Sequence, residues 1–194
     1  MSLNKTETKE IIFRTSRMNQ PIPQPLDGIQ RVTSLKLLGV TLQDNLSMNE
    51  HVNSLLLDCS NMLYALNTLR AHGMNNEGLQ EVFRAKIVSK LTYASPAWSG
   101  FASQLDINKI DRFLNKAKKL NFYPTEGPTI TQLWSNADDK LFQKIQDNPH
   151  HVLYKLLPMK SNTGYNLRTR KHPFCLPVKD NRNFINRVLY KDIM

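Results

Sequence analysis

The longest regular pattern of apolar residues lies between residues 52 and 69. Apolar side chains recur there at steps of three and four, at Val52, Leu55, Leu56, Cys59, Leu63, Leu66 and Leu69. This spacing is typical of one buried face of a helix, and the pattern stops at Gly73. Ser47 and Glu50 have the spacing of a capping box, which satisfies free N–H groups in the first helical turn. We therefore predict a helix from Ser47 to just before Gly73.

Three further segments have the helical period, over residues 76–91, 103–120 and 130–145. The predicted inward residues are Leu79, Val82, Phe83, Ile87 and Leu91 in the first segment, Leu105, Ile110, Phe113, Leu114, Ala117 and Leu120 in the second, and Leu133, Trp134, Ala137, Leu141, Phe142 and Ile145 in the third. A short helix is predicted over residues 183–190, with Phe184 and Val188 among the residues that dock. The four longer helices are expected to pack as a bundle.

The N-terminal pattern favours strands. Residues 9–13 are predicted to form a short strand. Residues 30–42 are rich in Val, Thr and Leu with a break at Gly39, which suits two short strands that meet at a tight hairpin or a bulge. Between them stand three prolines, which exclude helix and central strand: Pro21, Pro23 and Pro25. The predicted fold class is therefore α+β, mostly α, with a small N-terminal β hairpin followed by a helical bundle.

The 194 residues suffice for one ordinary domain, or for a small domain plus a tail, and we divide them into three regions. Residues 1–46 hold the hairpin, residues 47–157 hold the helices, and residues 158–194 form a basic arm that is irregular apart from its short terminal helix. Proline, asparagine and glycine interrupt any period in that arm before its terminal helix.

Charge is concentrated in the same arm. The chain has a net charge of +10, and from Lys155 onward nine basic residues stand against Asp180 and Asp192. The densest basic group consists of Arg168, Arg170 and Lys171. Clustered cations of this kind favour a polyanionic partner, while a solvated tail that only aids solubility explains the same charges equally well.

A second basic group lies on the predicted helix over residues 103–120. Its members are separated by steps of three and four that gather them on one side: Lys109, Arg112, Lys116 and Lys119. Among the helical cations these are the best placed to lie along a duplex backbone.

Two pairs of residues superficially resemble catalytic or metal sites. Asp138 and Asp139 follow an alanine, as in a polymerase Ala-Asp-Asp motif, but their period places them on the exposed side of a helix. His150 and His151 are adjacent, so in a helix they point about 100° apart, whereas chelation uses i, i+3 or i, i+4 spacing. We predict no catalytic and no metal-binding residue.

Other classes of protein are also disfavoured. No apolar run approaches the roughly 20 residues of a membrane span, and residues 1–10 are polar with both charge signs. The two cysteines, Cys59 and Cys175, match neither a disulfide framework nor a zinc motif, so we expect reduced thiols. An intracellular location, nuclear or cytoplasmic, is expected, with no cofactor, small-molecule substrate or membrane partner.

Several segments, in order, resemble the C-terminal part of the reverse transcriptase of jockey-like non-LTR retrotransposons. Residues 3–13 are similar to motif D, LNxxKTKExxF, and residues 32–42 are similar to motif E, the primer-grip hairpin. Residues 91–98, LTYASPAW, look like the thumb-region signature of the family. Matches continue at residues 151–158, 165–170 and 183–192, so the resemblance extends over nearly the whole chain.

This resemblance implies a helical thumb and a parent enzyme that is an RNA-directed DNA polymerase using Mg²⁺. The catalytic aspartates of that family precede motif D, so we expect this chain to lack activity by itself, and Glu7 stands where the family has a lysine. Lys36 and Gly39 fall in the primer-grip match, although Gly39 equally suits a turn without any ligand. Tyr93 and Trp98 can stack on bases, but such a pair more often packs a loop on a core.

The expected function is therefore that of a truncated polymerase segment, which binds RNA or DNA duplexes or hybrids regardless of sequence and largely through its basic arm. The alternative is a non-catalytic module, derived from a retroelement, that binds a protein.

Overall fold

The computed structural model describes residues 4–14, 21–160 and 172–191. Within these ranges a small β region precedes a series of helices, which confirms the predicted class, α+β and mostly α.

The β region consists of two separate pairs of strands. Strand β1 (Lys9–Glu10) runs parallel to β2 (Gln30–Arg31), and β3 (Ser34–Leu37) pairs antiparallel with β4 (Val40–Gln43). The strand predicted over residues 9–13 is thus only two residues long.

The predicted hairpin at Gly39 is confirmed. Leu38 and Gly39 connect β3 to β4, and both have positive φ angles, 47° and 87°. A two-residue turn with both φ angles positive matches the right-handed twist of the flanking strands. The glycine adopts this conformation without the steric cost that Leu38 carries.

Helix α1 (Asn49–Ala71) corresponds to the first predicted helix. Its buried apolar residues are Val52, Leu55, Cys59, Leu63 and Leu66, as expected from the period. Leu69 was predicted to face inward but is exposed, because it lies in the last turn, where the core ends.

The predicted capping box of α1 is wrong. Met48 occupies the N-cap position and no side chain caps the helix. Glu50 instead accepts a hydrogen bond from the Ser34 hydroxyl, at 2.6 Å, so its carboxylate binds the hairpin rather than the start of its own helix. This tertiary contact replaces the local one that the spacing suggested.

The second predicted helix is continuous but changes its hydrogen-bonding pattern. It comprises α2 (Asn76–Val82), a π-helical turn (Phe83–Val88) that we call the π segment, and α3 (Ser89–Thr92). Its fully buried residues are spaced by four throughout: Leu79, Phe83, Ile87 and Leu91. In a pure α-helix each step of four rotates by about 40° from the preceding position, and a wider i→i+5 turn removes part of this drift.

A short helix, α4 (Ser95–Trp98), and a 3₁₀ turn (Ser99–Phe101) lead to α5 (Gln104–Lys119). A capping box between Ser103 and Asp106 starts α5. The predicted inward residues Ile110, Phe113, Leu114 and Ala117 are buried. Leu105 was wrongly assigned to this face: its side chain is 73% exposed, because it lies seven residues before Arg112 and therefore on the outward side.

Helix α6 (Ile130–Asp147) follows, then a 3₁₀ turn (Tyr154–Leu156) and α7 (Phe184–Leu189). One large core joins β4, α1, the second helix, α4, α5 and the first half of α6. A smaller core forms where the C-terminal segment packs on α6, from Phe142, Phe174, Ile185, Val188 and Leu189. The described part of the predicted arm is therefore folded against the bundle.

Candidate nucleic-acid interface

The outward face of α5 carries three exposed cations, Arg112, Lys116 and Lys119. Their side chains form no ion pair or hydrogen bond with any residue in the described ranges. The buried residues on the opposite side of α5 fix the rotation of the helix, which points these cations to solvent. We call Arg112, Lys116 and Lys119 the basic face.

Lys109 was predicted to belong to the same group, but its contacts differ. Its ammonium donates to the side-chain oxygens of Asn49, at 2.9 Å, and Asn53, at 3.0 Å, and lies 3.8 Å from the Asp106 carboxylate. Lys109 therefore connects α5 to the first turns of α1, and its charge is partly offset. Periodicity along α5 could not reveal this contact, because the two asparagines are 56 and 60 residues away in sequence.

The other two predicted residues, Lys36 and Gly39, lie in the hairpin rather than on α5. Lys36 is exposed on β3, paired in register with Thr41 of β4. Behind the hairpin, the His51 ring is buried at the start of α1, and the Thr41 N–H points at its Nδ1 from 3.4 Å. Burial lowers the pKa of His51, and the nearby Lys36 ammonium lowers it further.

Gly39 lies under an aromatic ring. The Tyr93 hydroxyl donates to the Leu38 carbonyl at 3.3 Å, and a Cβ atom added to Gly39 would lie 3.3 Å from Cε1 of Tyr93. Tyr93 thus covers the turn of the hairpin. Trp98 is fully buried, with its ring edge-on to His51 and Trp134 at centroid distances of 4.7 and 5.0 Å. Trp98 packs in the core, as the commoner of the two interpretations predicted, whereas the Tyr93 side chain is 57% exposed and lies against the hairpin turn.

Two cations of the C-terminal segment are paired with α6. The Arg187 guanidinium binds the Asp138 carboxylate, and the Lys191 ammonium binds that of Asp139. The prediction that both aspartates lie on an exposed face is therefore wrong for Asp138, which is 5% exposed. The helix itself was correctly predicted, but Asp138 is covered by Arg187 of α7, which the period of α6 could not show.

The three densest predicted cations, Arg168, Arg170 and Lys171, lie outside the described residues. Within the described part of the arm, Lys179 stands 5.9 Å from the centroid of the Tyr190 ring. Arg187 and Lys191 are also paired, whereas the basic face of α5 places three exposed cations without a partner in the described ranges on one element.

The two cysteines differ in environment. Cys59 is buried on the inward side of α1, and burial raises the pKa of its thiol to about 11. The thiol therefore stays protonated at neutral pH. Cys175 is exposed. No cluster of three or more metal-ligating side chains occurs within residues 4–14, 21–160 and 172–191.

Among the helices in the described ranges, none combines the length and apolar character needed to cross a bilayer. No protein-family model matches the chain, and no curated protein or solved structure matches it either.

Proposed function

We propose that this chain is a non-catalytic nucleic-acid-binding segment, related to the C-terminal part of a jockey-like non-LTR retrotransposon reverse transcriptase. It binds RNA or DNA duplexes or hybrids without reading their sequence. The basic face of α5 carries this proposal, because its three cations are exposed, lie on one side of a rigid helix and have no protein partner in the described ranges.

The dimensions of the basic face suit a duplex. Arg112 and Lys119 are seven residues apart, which corresponds to about 10 Å along a helix. A B-form duplex presents about six phosphates over that length of its axis. Three cations can therefore each reach a phosphate, and such contacts give affinity without sequence preference.

The hairpin supports a finer part of the proposal, in which Lys36 and the Leu38–Gly39 turn act as a primer-grip-like contact. Tyr93 holds this turn through the hydrogen bond to the Leu38 carbonyl, so the backbone there is fixed before any ligand arrives. In the proposed parent polymerase, Mg²⁺ and the catalytic aspartates belong to a part that precedes the motif D match. Asp138 and Asp139 do not replace them in this proposal, since both are paired with cations of the C-terminal segment.

A titration of the whole chain with labelled duplexes tests the proposal. Two unrelated sequences are tested, each as a DNA duplex and as an RNA–DNA hybrid. Within each type of duplex, the two sequences should bind with affinities that agree within about twofold, because phosphate contacts carry no sequence information. Three phosphate contacts correspond to a slope of about −2.7 in log affinity against log salt, or a roughly 40-fold loss between 50 and 200 mM salt. Binding that is absent, or indifferent to salt, would favour the alternative of a protein-binding module.

A further inference from the structure

A pocket of about 430 Å³ lies between the second helix and the loop that follows α5, away from the hairpin contacts described above. Its apolar lining includes the half-buried Val88 and Leu133 and the buried ring of Tyr123. Its rim carries the exposed side chains of Glu77 and Glu81.

The loop wall of the pocket is tightly packed. The Tyr123 hydroxyl donates to the Pro128 carbonyl at 2.9 Å, and the Gly127 N–H donates to the Pro124 carbonyl at 2.8 Å. A Cβ atom at Gly127 would stand 2.7 Å from the Tyr123 ring, so only glycine fits against it. The wall is therefore formed before any ligand binds, as is usual for specific sites.

The opposite wall includes the π segment, which contributes Arg84 and Val88. An i→i+5 turn inserts one extra residue into the helix. Here this wider turn helps residues spaced by four to stay on the buried side. Such single π turns inside α-helices occur frequently at functional sites. The helix distortion and the cavity are two separate observations at one place.

The rim has the opposite charge to the chain as a whole. Glu77 and Glu81 are four residues apart and so project from the same side of the helix. The only cation that lines the pocket within the described ranges is Arg84, whose Nη2 lies 3.8 Å from Glu81 in a pair that is about three-quarters exposed and therefore weak. Lys118 does not line the pocket, and its ammonium donates to the Gly127 carbonyl at 2.7 Å.

We propose that this pocket binds an arginine side chain presented by an extended peptide of a partner protein. The methylene stem lies on Val88, Leu133 and the Tyr123 ring, as long cationic side chains commonly lie on apolar surface. The guanidinium reaches the carboxylates of Glu77 and Glu81. Its planar array of N–H donors suits two carboxylates better than the single ammonium of a lysine does. Phosphates are repelled by the same carboxylates, so this site is independent of the nucleic-acid proposal.

The probe is the blocked tripeptide acetyl-Gly-Arg-Gly-amide, titrated into the whole chain while backbone amide signals are followed by NMR. The amides of Arg84, Val88 and Gly127 should shift and saturate. The neutral citrulline tripeptide should fail to saturate them, because it has nearly the same shape without the charge. A variant carrying Glu77→Gln and Glu81→Gln should bind the arginine peptide about tenfold more weakly.

The control variant removes two exposed carboxylates elsewhere, Glu7→Gln and Asp147→Asn, and should bind the peptide as the wild type does. All variants change only exposed residues, so circular dichroism should confirm an unchanged fold. Absence of saturable shifts, an equal response to citrulline, or unchanged affinity in the Glu77/Glu81 variant overturns the proposal. Tighter binding of spermidine to the same amides also overturns it, since it would show a site for free amines.

Discussion

The guanidinium of Arg187 in α7 contacts the carboxylate of Asp138 in α6 at two points. Nε lies 2.8 Å from Oδ2, and Nη2 lies 3.1 Å from Oδ1. Nη2 also donates to the Pro96 carbonyl at 3.2 Å, so one side chain joins α7, α6 and the start of α4. This contact adds to the smaller apolar core in joining the C-terminal segment to the bundle.

Removing Arg187 should cost stability. Arg187→Leu leaves the Asp138 carboxylate buried without its partner, and the expected loss is about 3 kcal/mol in the free energy of unfolding. Lys191→Leu is the matched control, because its partner Asp139 is half exposed, and such a pair contributes only about 0–1 kcal/mol. Urea denaturation of both variants measures the difference. Equal losses would show that the buried Arg187–Asp138 pair contributes no more to the free energy of unfolding than the exposed Lys191–Asp139 pair.

Leu66 lies in the core of the bundle and is 2% exposed. Leu66→Asp places an unpaired carboxylate there, which should lower stability by more than about 4 kcal/mol or unfold the helices. Tyr64→Asp makes the same change two residues away, where the side chain is 76% exposed, and should be nearly neutral. Thermal melts followed by circular dichroism compare the two. A stable Leu66→Asp protein would contradict the packing of α1.

Gly39 tests the contact between the hairpin and Tyr93. Gly39→Ala forces a side chain to adopt a positive φ angle and also brings its Cβ to 3.3 Å from the Tyr93 ring. Gly73→Ala has a similar φ angle, 91°, but no atom within 4 Å of the added Cβ. The control should lose about 1 kcal/mol from backbone strain, and Gly39→Ala should lose more. Identical losses would mean that Tyr93 moves aside freely.

The regular elements could be predicted from the sequence because burial repeats at the helical period. The four-residue steps from Leu79 to Leu91 correctly located the second helix and its inward side. The same spacing also hinted at the π segment, because residues spaced by four do not stay on one side of an ideal α-helix. The Gly39 turn could be predicted because a tight hairpin requires positive φ angles.

Long-range polar contacts could not be predicted in this way. Asp138 and Arg187 are 49 residues apart, and Ser34 and Glu50 are 16 apart, so no local period relates them. The capping box at Ser47 failed because the hairpin supplied a competing donor for Glu50. The candidate interface was predicted in part: the positions of Arg112, Lys116 and Lys119 on one exposed side followed from their spacing, whereas the inter-helix contact of Lys109 did not.

The buried His51 makes stability depend on pH. Its pKa in the folded chain is lowered below 6.5, so the unfolded chain binds more protons in the interval between the two values. Its contribution to stability is therefore fully present above about pH 6.5 and decreases as the pH falls toward the folded pKa. One proton corresponds to a slope of up to about 1.4 kcal/mol per pH unit.

His51→Phe keeps a ring against Trp98 but removes the titrating group. Its stability, measured by urea denaturation between pH 5 and 7.5, should fall less steeply with decreasing pH than that of the wild type. The other four histidines are present in both proteins, so the difference between the two curves isolates His51. Parallel curves would show that His51 has the same pKa in the folded and unfolded chain.

The salt dependence of duplex binding tests the central claim most directly. Replacing Arg112, Lys116 and Lys119 together with alanine removes the basic face without touching the core. A control triple variant replaces Lys140, Lys144 and Lys155, which are also exposed. A third variant replaces Arg168, Arg170 and Lys171 with alanine. It measures how much the basic arm contributes to the salt dependence of duplex binding.

Fluorescence anisotropy at several salt concentrations gives the slope of log affinity against log salt for each protein. If each cation of the basic face contacts one phosphate, its removal should flatten the slope by about 2.7 units, while the control triple should change it by less than about 1 unit. A flatter slope in the third variant would show that the arm also contacts phosphates. An unchanged slope after loss of Arg112, Lys116 and Lys119 would contradict the assignment of nucleic-acid binding to the α5 face.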